Sequence, residues 1–499
     1  MLFPLVLVGI AVLLIIVQDY VRKSSRTWKL LNKFPGDKPL PLIGNALQIG
    51  FNSDETCAKL MQMWHRHGQQ TFRVTMGTEN WVMLCEPDDI RIILSHPTEL
   101  SKPLERNAAF KPFFGNSVST AEGEKWKSTR KLIVSSFSFK TLDQRQETIN
   151  KYCDQLAQIF DRYKDKKDVD LYRYLKPFML DLMCDSFMGV ERNFLQNVEH
   201  RYFKTGKNII KILTNNYFNH WRIIESIFVW TPMYKEMTET IKNIRDLSQE
   251  LIYSRKVKTH KNSEYIDEIE EEKKKNAAED LCLLDKFLNS KLPNGEPVPD
   301  SQINEEISLL CFTAHYTTTV TMSHALYLMA KYPEVQQKAY EEQMMIFGED
   351  KLRKATNDDL GKMKYLEAVV KETFRVLPTV TKIGRQLQED LTLSDGRVVP
   401  AGTSVVVFYE AMNMNPKLFP EPSKFDPERF YGNPASYIVP FSAGPRGCLG
   451  SGYAWMAMKS VMSTVLRRYK LSVAKEPDIA YRMLLESDNG INLKLSSRV

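Results

Sequence analysis

The stretch Phe441–Gly450, which reads FSAGPRGCLG, places one cysteine, Cys448, inside a glycine-rich turn. Glycines let a backbone pass close to a flat ligand, because they carry no side chain. The amides at the start of a following helix and the neighbouring Arg446 favour the thiolate form of such a cysteine. The turn therefore predicts a thiolate that serves a ligand or metal, with a buried structural cysteine in a loop as the alternative interpretation.

Five positions of this stretch match the pattern FxxGxRxCxG, in which the chain resembles the cytochrome P450 family. In that family the cysteine thiolate binds the iron of haem b and favours O–O cleavage. The resemblance implies that Cys448 is the metal ligand. It also implies that Phe441, Arg446 and Gly450 are cofactor-binding residues.

A second motif of the resemblance lies in GEKWKSTRK, residues 123–131. Trp126 and Arg130 match a WxxxR pattern that holds a haem propionate in the family, and an indole N–H and an arginine fork both suit a carboxylate. Arg385, which follows Gly384, resembles the second propionate-binding arginine of the family. The alternative interpretation of the WxxxR pattern is a core tryptophan and a surface arginine on one helix.

A third motif is the ExxR pair, Glu372 and Arg375, whose spacing puts both side chains on one helix face. Such a pair alone is a weak signal, because surface ion pairs are common. Downstream, FDPERF at residues 425–430 contributes Arg429. The resemblance implies that these three residues form a structural network behind the haem, which supports the fold and not the reaction.

The segment TAHYTTT, residues 313–319, resembles the oxygen-activating helix of the family but departs from it at one position. Thr317 matches the threonine that hydrogen-bonds oxygen, whereas Tyr316 stands where the family has an acid. A phenol is a poor substitute for a carboxylate. Proton delivery is therefore expected through Thr317 and water, or through His315. Alternatively, the threonines bond back to the preceding helical turn, and His315 is a hydrogen-bonded helix residue.

The same segment most resembles the fourth-family clan, which includes many insect members, and FKPFFG at residues 110–115 supports that placement. Some members of the clan attach haem covalently through a glutamate on this helix. Thr313 occupies the matching position, so no ester bond is expected. The resemblance also implies a pocket lined by Phe110, Phe113, Phe114, Val118, Val380 and Thr381, although aromatic residues are more often simply core.

The N-terminal run at residues 2–17, LFPLVLVGIAVLLIIV, carries no charge, and basic residues follow it. No basic residues precede it and no small-residue cleavage site follows, so a retained membrane anchor is favoured over a cleaved signal peptide. Positive charge stays in the cytosol, which predicts that the bulk of the chain is cytosolic. The resemblance implies that the membrane is that of the endoplasmic reticulum. We divide the chain into an anchor (1–21), a basic and proline-rich connector (22–48) and a haem-binding monooxygenase domain (49–499).

The remaining patterns predict a mainly α fold with small β-sheets. A long buried helix is expected from Asp300 or Ser301 to about Lys331, a hairpin around Asp395-Gly396 and a strand over Ser404–Phe408. The charged stretch Lys256–Asn276 is read as a solvated surface insert.

Composition narrows the class of protein further. Seven widely spaced cysteines form no metal-binding pattern and fit a reduced, cytosolic setting. The net charge of +7 is small and spread out, and no basic-aromatic motif indicates nucleic-acid binding.

The resemblance implies a monooxygenase that inserts one oxygen atom from O2 into a small hydrophobic substrate. Hydroxylation and epoxidation are both open, and a fatty-acid derivative, hydrocarbon, pheromone precursor or xenobiotic would each fit. Electrons are expected from NADPH through an NADPH-cytochrome reductase, with cytochrome b5 as a further partner, and Arg429, Arg446 and Lys459 are expected to face that reductase. The alternatives are a haem-thiolate peroxide isomerase, against which the retained Thr317 argues, and a non-catalytic haem protein or lipid carrier.

Overall fold

The structure is a computed structural model that describes residues 2–50, 53–77, 79–218, 228–266, 281–292, 295–432 and 437–498. Its α-helices are α1 (Leu2–Ser24), α2 (Arg26–Leu31), α3 (Ala46–Ile49), α4 (Ser53–Arg66), α5 (Pro87–Ser95), α6 (Leu104–Phe114), α7 (Gly123–Val134), α8 (Phe139–Asp143), α9 (Gln146–Phe160), α10 (Leu171–Met183), α11 (Arg201–Phe218), α12 (Pro232–Ile266), α13 (Leu283–Leu288), α14 (Asp300–Lys331), α15 (Pro333–Phe347), α16 (Asn357–Lys362), α17 (Lys364–Val376), α18 (Tyr409–Asn413) and α19 (Ser451–Arg468). Short 3-10 helices span Ser135–Phe137, Phe194–Gln196 and Pro427–Arg429, and a π-turn spans Cys184–Met188.

The strands are β1 (Phe72–Met76), β2 (Glu79–Leu84), β3 (Val169–Asp170), β4 (Lys382–Gln386), β5 (Leu391–Thr392), β6 (Val398–Val399), β7 (Ser404–Phe408), β8 (Tyr469–Lys475), β9 (Ile479–Tyr481), β10 (Leu485–Ser487) and β11 (Asn492–Ser497). They form sheets in the orders β1-β2-β7-β4, β3-β11-β8, β9-β10 and β5-β6. In the largest sheet, β2 and β7 are parallel with Trp81 opposite Ser404, while the other pairs are antiparallel. The mainly helical prediction with small sheets is confirmed.

The long helix α14 lies at the centre of the helical core, where it packs against α10, α12 and α17. Its residues are buried along nearly the whole length because apolar side chains occur on all of its faces. The helix ends at Lys331, before Pro333, as predicted. Its start differs slightly from the prediction, since Pro299 occupies the N-cap position and Asp300 is the first helical residue. Asp300 still places a carboxylate in the first turn, which suits the helix dipole.

Two strand predictions are confirmed by the structure. β5 and β6 pair in antiparallel register around the Asp395-Gly396 turn, where Gly396 adopts a φ of 81°. β7 spans Ser404–Phe408, and all of its residues are buried between neighbouring elements. The first part of the stretch Lys256–Asn276 is helical, because α12 continues to Ile266, and Val257, Lys258 and Thr259 are exposed, as expected of a solvated surface segment. Its acidic and lysine-rich run lies outside the described residues.

The N-terminal connector, residues 22–48, packs against the rest of the described structure. Phe34 is buried, Arg73 on β1 donates its backbone N–H to the Pro35 carbonyl, and Gly44 forms a β-bridge with Met76. Helix α1 precedes this connector and exposes apolar side chains. Within the described parts of the chain, no helix is both long enough and apolar enough to cross a membrane.

Candidate functional site

The loop before α19 holds Cys448 through its own backbone. The N–H of Cys448 donates to the carbonyl of Phe441 at 2.9 Å, and the N–H of Gly447 donates to the carbonyl of Gly444 at 2.9 Å. Gly444 has a φ of 67°, and a Cβ there would lie 2.0 Å from the carbonyl oxygen of Leu94. Only glycine meets both conditions, so this position fixes the close approach of the loop to α5.

The thiol of Cys448 faces backbone amides at the start of a helix. α19 begins at Ser451 with Gly450 as its N-cap, and the amides of Gly450 and Ser451 donate toward the sulfur. Burial raises the pKa of the Cys448 thiol, while these amides and Arg130 oppose the rise. Cys448 is nevertheless accessible to solvent, whereas the other six cysteines are buried. This arrangement suits a thiolate ligand once a metal supplies further positive charge.

Arg446 lies deep beside this loop and is held by several partners. Its Nε donates to the carbonyl of Leu100 at 3.1 Å, and its Nη2 donates to the carbonyl of Ala121 at 3.1 Å and to Glu122 Oε2 at 2.8 Å. The guanidinium lies 4.0 Å from the ring centroid of Trp126. Burial lowers the pKa of Arg446 to about 10, and its buried Nη1 has no hydrogen-bond partner among the described residues.

Three more cations surround the same region. Arg385 on β4 donates from Nη1 to the carbonyl of Gly384 at 2.9 Å, but its buried Nε and Nη2 have no partner in the described part of the chain. Arg130 donates from Nη2 to the carbonyl of Gly447 at 2.9 Å. Lys102 is enclosed by protein, and burial lowers its pKa, as do the nearby charges of Arg385 and other arginines.

This cluster tests whether haem fits the site. Arg385, Arg446 and Lys102 bring positive charge together, and Glu122 is the carboxylate that acts on all three. Free N–H groups on two buried arginines would be costly without an acceptor. Haem carries two propionate carboxylates, which match a fork donor in charge and geometry. The residues therefore fit haem b, with Cys448 as the only cysteine placed to bind its iron.

Lys102 and Glu122 are site residues that the sequence analysis did not find. Neither belongs to a motif, and both lie far from residue 446 along the chain. Lys102 also donates its backbone N–H to Glu122 Oε1 at 3.2 Å, so the two are coupled. Only the packing of the segment before α6 against β4 and the cysteine loop brings them to the arginines.

Arg375 and Glu372 on α17 form a buried ion pair, and both side chains are fully inaccessible to solvent. Arg375 donates from Nε and Nη2 to the two oxygens of Glu372 at 2.8 and 2.7 Å. Its remaining N–H groups reach the carbonyls of Asn413, Pro422 and Lys424 at 3.1, 2.7 and 2.8 Å. All five donors of the guanidinium are thereby satisfied.

Arg429 joins this pair more loosely. Its Nε lies 3.6 Å from Glu372 Oε1, and its Nη2 donates to the carbonyl of Glu421 at 3.1 Å. The backbone N–H of Asp426 also donates to Glu372 at 2.8 Å. The structure thus brings the predicted residues Glu372, Arg375 and Arg429 together, and the network ties α17 to the loop that leads to Cys448.

On α14, Thr317 and His315 both bond back to their own helix. Thr317 Oγ1 donates to the carbonyl of Thr313 at 3.0 Å, and His315 Nδ1 lies 2.5 Å from the carbonyl oxygen of Cys311. Burial lowers the pKa of His315 to about 4, so the ring is neutral at physiological pH. The ring packs against Tyr202 and other aromatic side chains.

Tyr316 points elsewhere, because its hydroxyl donates to Glu486 on β10. Tyr316 is completely buried, and Glu486 is 1% exposed. Sequence reasoning did not find Glu486, which lies 170 residues from Tyr316 along the chain. No local signal marks this glutamate, since a single acid in a short strand normally lies on the surface.

The predicted pocket residues lie close to α14. The rings of Phe114 and Phe312 stack with centroids 5.4 Å apart, and Phe110 and Phe113 contact Phe114 at 6.1 and 6.0 Å. Val118 donates its backbone N–H to the carboxylate of Glu306 on α14. On the other side, the segment with Val380 and Thr381 contacts the β9-β10 hairpin through a bridge from Val380 to Leu484 and a bond from Thr381 Oγ1 to the carbonyl of Arg482.

The carboxylate that accepts the Val118 N–H belongs to Glu306, which is 1% exposed. Its Oε2 accepts the backbone N–H of Val118 at 3.0 Å, while its buried Oε1 has no partner in the described regions. Burial raises the pKa of Glu306 to about 8. The buried acid therefore remains protonated at neutral pH and closes the segment before α7 against α14.

Glu306→Gln is expected to flatten the pH dependence of stability. The folded protein keeps a proton on Glu306 up to about pH 8, whereas the unfolded chain loses it above its ordinary pKa of 4.5, so wild-type stability falls as pH rises through this range. The neutral amide removes this loss. Melting temperatures measured at mildly acidic pH and above pH 8 should converge for wild type and variant at the acid end and favour the variant at the alkaline end. Parallel curves would contradict the assignment.

The sequence profile described as Cytochrome P450 matches residues 34–494, which is most of the chain. The chain belongs to the cytochrome P450 family. Probable cytochrome P450 4e1 of Drosophila melanogaster is 30% identical over 517 aligned residues, covering 95% of this chain and 94% of the relative. Cytochrome P450 4c3 of the same species is 30% identical, covering 99% of this chain and 95% of the relative. Cytochrome P450 4d2, also of Drosophila melanogaster, is 31% identical, covering 93% of this chain and 94% of the relative.

The predicted resemblance to the cytochrome P450 family, and to its insect fourth-family members, is thus confirmed. Membership supports a haem-thiolate monooxygenase with haem as its cofactor. One detail of the sequence analysis is wrong. Arg446 and Lys459 do not present charge to a partner, because Arg446 is buried among the site residues and Lys459 is buried with its Nζ on Glu367 at 2.8 Å.

Proposed function

We propose that this cytochrome P450 inserts one atom of O2 into a small hydrophobic substrate, with electrons from NADPH delivered by an NADPH-cytochrome reductase. The observation that carries the proposal is the pairing of an amide-faced Cys448 with two buried arginines, Arg385 and Arg446, some of whose N–H groups have no acceptor among the described residues. A thiolate ligand and propionate-binding cations are both required for a haem-thiolate enzyme.

Each site residue then has a task. Cys448 holds the iron, Arg446, Arg385, Arg130 and Trp126 orient haem through its propionates, and Phe441 and Gly450 shape the loop around the thiolate. Haem supplies the oxygen-activating iron when it is bound. The ion pair of Glu372 and Arg375, together with Arg429, keeps the loop in register and takes no part in the reaction.

We assign to Thr317 the task of holding the proton that is delivered within the site. Its Oγ1 donates to the Thr313 carbonyl at 3.0 Å, a local bond that a change of side-chain rotamer would break and so free the hydroxyl. His315 is a weaker candidate for this task, because its pKa of about 4 leaves it without a proton to give. Thr313 offers no carboxylate, so we propose that haem is not esterified to this helix.

Thr317→Ala is expected to uncouple NADPH consumption from product formation. Loss of the hydroxyl removes the group that holds a proton beside the reacting oxygen, so reducing equivalents should leave as hydrogen peroxide. Positioned proton donors contribute on the order of 100-fold to rate, and the ratio of product to NADPH should fall severalfold. Thr317→Ser, which keeps the hydroxyl, is the matched control. Equal coupling in all three proteins would assign the proton to another group.

The proposed substrate class rests on an aromatic cluster beside α14. Phe110, Phe113, Phe114 and Phe312 cluster beside α14, and such aromatic walls bury apolar ligands. We propose a fatty-acid derivative, hydrocarbon, pheromone precursor or xenobiotic, attacked by hydroxylation or epoxidation.

The reaction class is tested with reductase, NADPH and 18O2, with dodecane and dodecanoic acid as probes. One 18O atom in the product supports the proposal. A product that forms from a hydroperoxide without NADPH, and carries no 18O from the gas, would instead support a peroxide isomerase. The peroxide isomerase is retained as a second candidate because Tyr316 stands where the family has an acid.

We also propose that the protein is held on the endoplasmic reticulum membrane with its haem domain in the cytosol. The first helix carries an uncharged run followed by Arg22 and Lys23, and its described apolar side chains, among them Leu13 and Ile16, are 60% and 59% exposed. Exposed apolar surface of this kind is stabilised by insertion into lipid. Reductase and cytochrome b5 on the same membrane are the proposed partners, and fractionation of the expressed full chain after a carbonate wash tests the placement.

A further inference from the structure

The contact between Tyr316 and Glu486 joins the oxygen-activating helix to a strand near the C-terminus. Tyr316 directly precedes Thr317 on α14, and its hydroxyl donates to Glu486 Oε2. Both side chains are buried. A buried carboxylate normally requires several partners, so this one is unusual in resting largely on a single phenol.

The other oxygen of the Glu486 carboxylate lies on the side of Arg482 and Asp488, nearer the surface. Glu486 Oε1 is buried without a hydrogen bond among the described residues, and Arg482 Nη1 lies 3.9 Å from it. Arg482 in turn forms a two-pronged pair with Asp488, both bonds being 2.8 Å. The side chain of Asp488 is 36% exposed. A line of polar groups thus runs from solvent to the residue beside Thr317.

Burial, together with the nearby Glu486, keeps the hydroxyl of Tyr316 neutral. Burial raises the pKa of Tyr316 well above its ordinary value, and the nearby Glu486 adds to the rise. Lys176 Nζ lies 4.6 Å from the ring centroid and also 4.9 Å from that of Tyr172. A neutral phenol both donates and accepts a hydrogen bond, so it passes a proton on without becoming a tyrosinate.

We propose that Tyr316 and Glu486 together replace the acid that α14 lacks, as a two-residue relay that supplies the proton to Thr317. This inference rests on the proposed monooxygenase function. Glu486 takes up a proton, and the Tyr316 O–H, which donates to Glu486 in the resting structure, turns to a water on the Thr317 side. The Glu486 O–H bond then breaks as its proton moves to Tyr316 Oη, while the O–H bond of Tyr316 breaks and its proton passes through that water to Thr317. Glu486 then regains a proton from solvent on the Asp488 side. The two residues are positioning residues, because they act through Thr317.

The hairpin that carries Glu486 is attached to the core by bonds that do not involve this glutamate. Leu485 donates its backbone N–H to the carbonyl of Thr379 at 2.9 Å, and the hydroxyls of Thr379 and Thr321 lie 2.7 Å apart. Glu486→Gln keeps the shape of the side chain and all of these bonds. The variant therefore removes the transferable proton and leaves the hairpin in place.

The test compares wild type, Glu486→Gln and Tyr316→Phe as full chains reconstituted with reductase. NADPH consumption and its solvent deuterium isotope effect are measured without added substrate. We expect consumption to slow by about tenfold or more in both variants, with a larger isotope effect and an unchanged CO spectrum. The matched control is Thr379→Val, which removes the hydroxyl contact with Thr321 on α14 and leaves the acid; its isotope effect should equal that of wild type.

A rescue separates proton supply from architecture. Tyr316→Asp returns a carboxylate to α14, so adding Glu486→Gln to that variant should cause little further slowing. If Glu486→Gln consumes NADPH at the wild-type rate with the wild-type isotope effect, the relay is refuted. If wild type itself shows neither a thiolate CO spectrum nor NADPH consumption with reductase, the proposed function fails instead.

Discussion

Replacing Cys448 with alanine is expected to abolish the red-shifted Soret band of the reduced, CO-bound protein completely. Of the seven cysteines, Cys448 alone is accessible to solvent and faces the amides that begin α19. The six others are buried elsewhere, and no group of cysteines or other ligands among the described residues forms an alternative metal site. Without this thiolate, the six remaining cysteines are all buried elsewhere in the described structure and none replaces it as a ligand. The spectrum of membrane-expressed protein, taken after haem content has been checked, measures the effect.

Cys153→Ala is the matched control for this prediction. Cys153 is buried beside α19, next to Leu156 and Val461, and removing its sulfur should leave the band unchanged. Cys448→His distinguishes a lost ligand from a lost fold, because an imidazole binds iron but gives a Soret band at shorter wavelength. An unchanged thiolate spectrum in Cys448→Ala would overturn the ligand assignment.

The second large effect is expected at Arg375. Arg375→Ala removes the closest cation from the buried Glu372, which keeps only Arg429 Nε at 3.6 Å and the Asp426 N–H. It also strands three backbone carbonyls that the guanidinium now satisfies. Breaking a buried pair by removing one partner costs about 3–5 kcal/mol of folding free energy, which is a large share of the stability of most proteins. We expect little folded, haem-loaded protein, measured as haem per polypeptide and as melting temperature.

Two variants show whether the geometry or the charge matters at this position. Arg375→Lys keeps the charge but has too few donors in the wrong geometry, so it should also lose haem. Lys362→Ala removes one side of an exposed pair with Asp358 and should leave haem content unchanged. Normal haem loading and stability in Arg375→Ala would show that the network is dispensable.

Local patterns in the sequence predicted the elements that depend on neighbours along the chain. Apolar residues on every face predicted the buried helix α14, Asp395-Gly396 predicted the hairpin of β5 and β6, and β-branched residues predicted β7. The motif around Cys448 predicted the helix start that faces its sulfur, because the glycines and the following helix lie within one short stretch. Such features are set by a few consecutive residues.

Burial and long-range pairing were outside the reach of these patterns. Charge alone suggested that Arg446 and Lys459 were available to a partner, and the structure buries both. Nothing in the local sequence distinguishes Glu306 from other acids, yet packing against Val118 makes it a protonated acid. A residue's environment, and therefore its charge, depends on which distant segments cover it.

The sequence by itself determined the family, the thiolate ligand motif and the main helices, because each is written in residues that lie close together along the chain. Only the tertiary structure decided that Lys102 and Glu122 lie beside Arg385 and Arg446 and that Tyr316 meets Glu486. These contacts join residues that are far apart in sequence, and a side chain that stands alone in its local segment carries no periodic signal of its distant partner. Folding around α14 creates those contacts, and burial then sets how each group holds its proton.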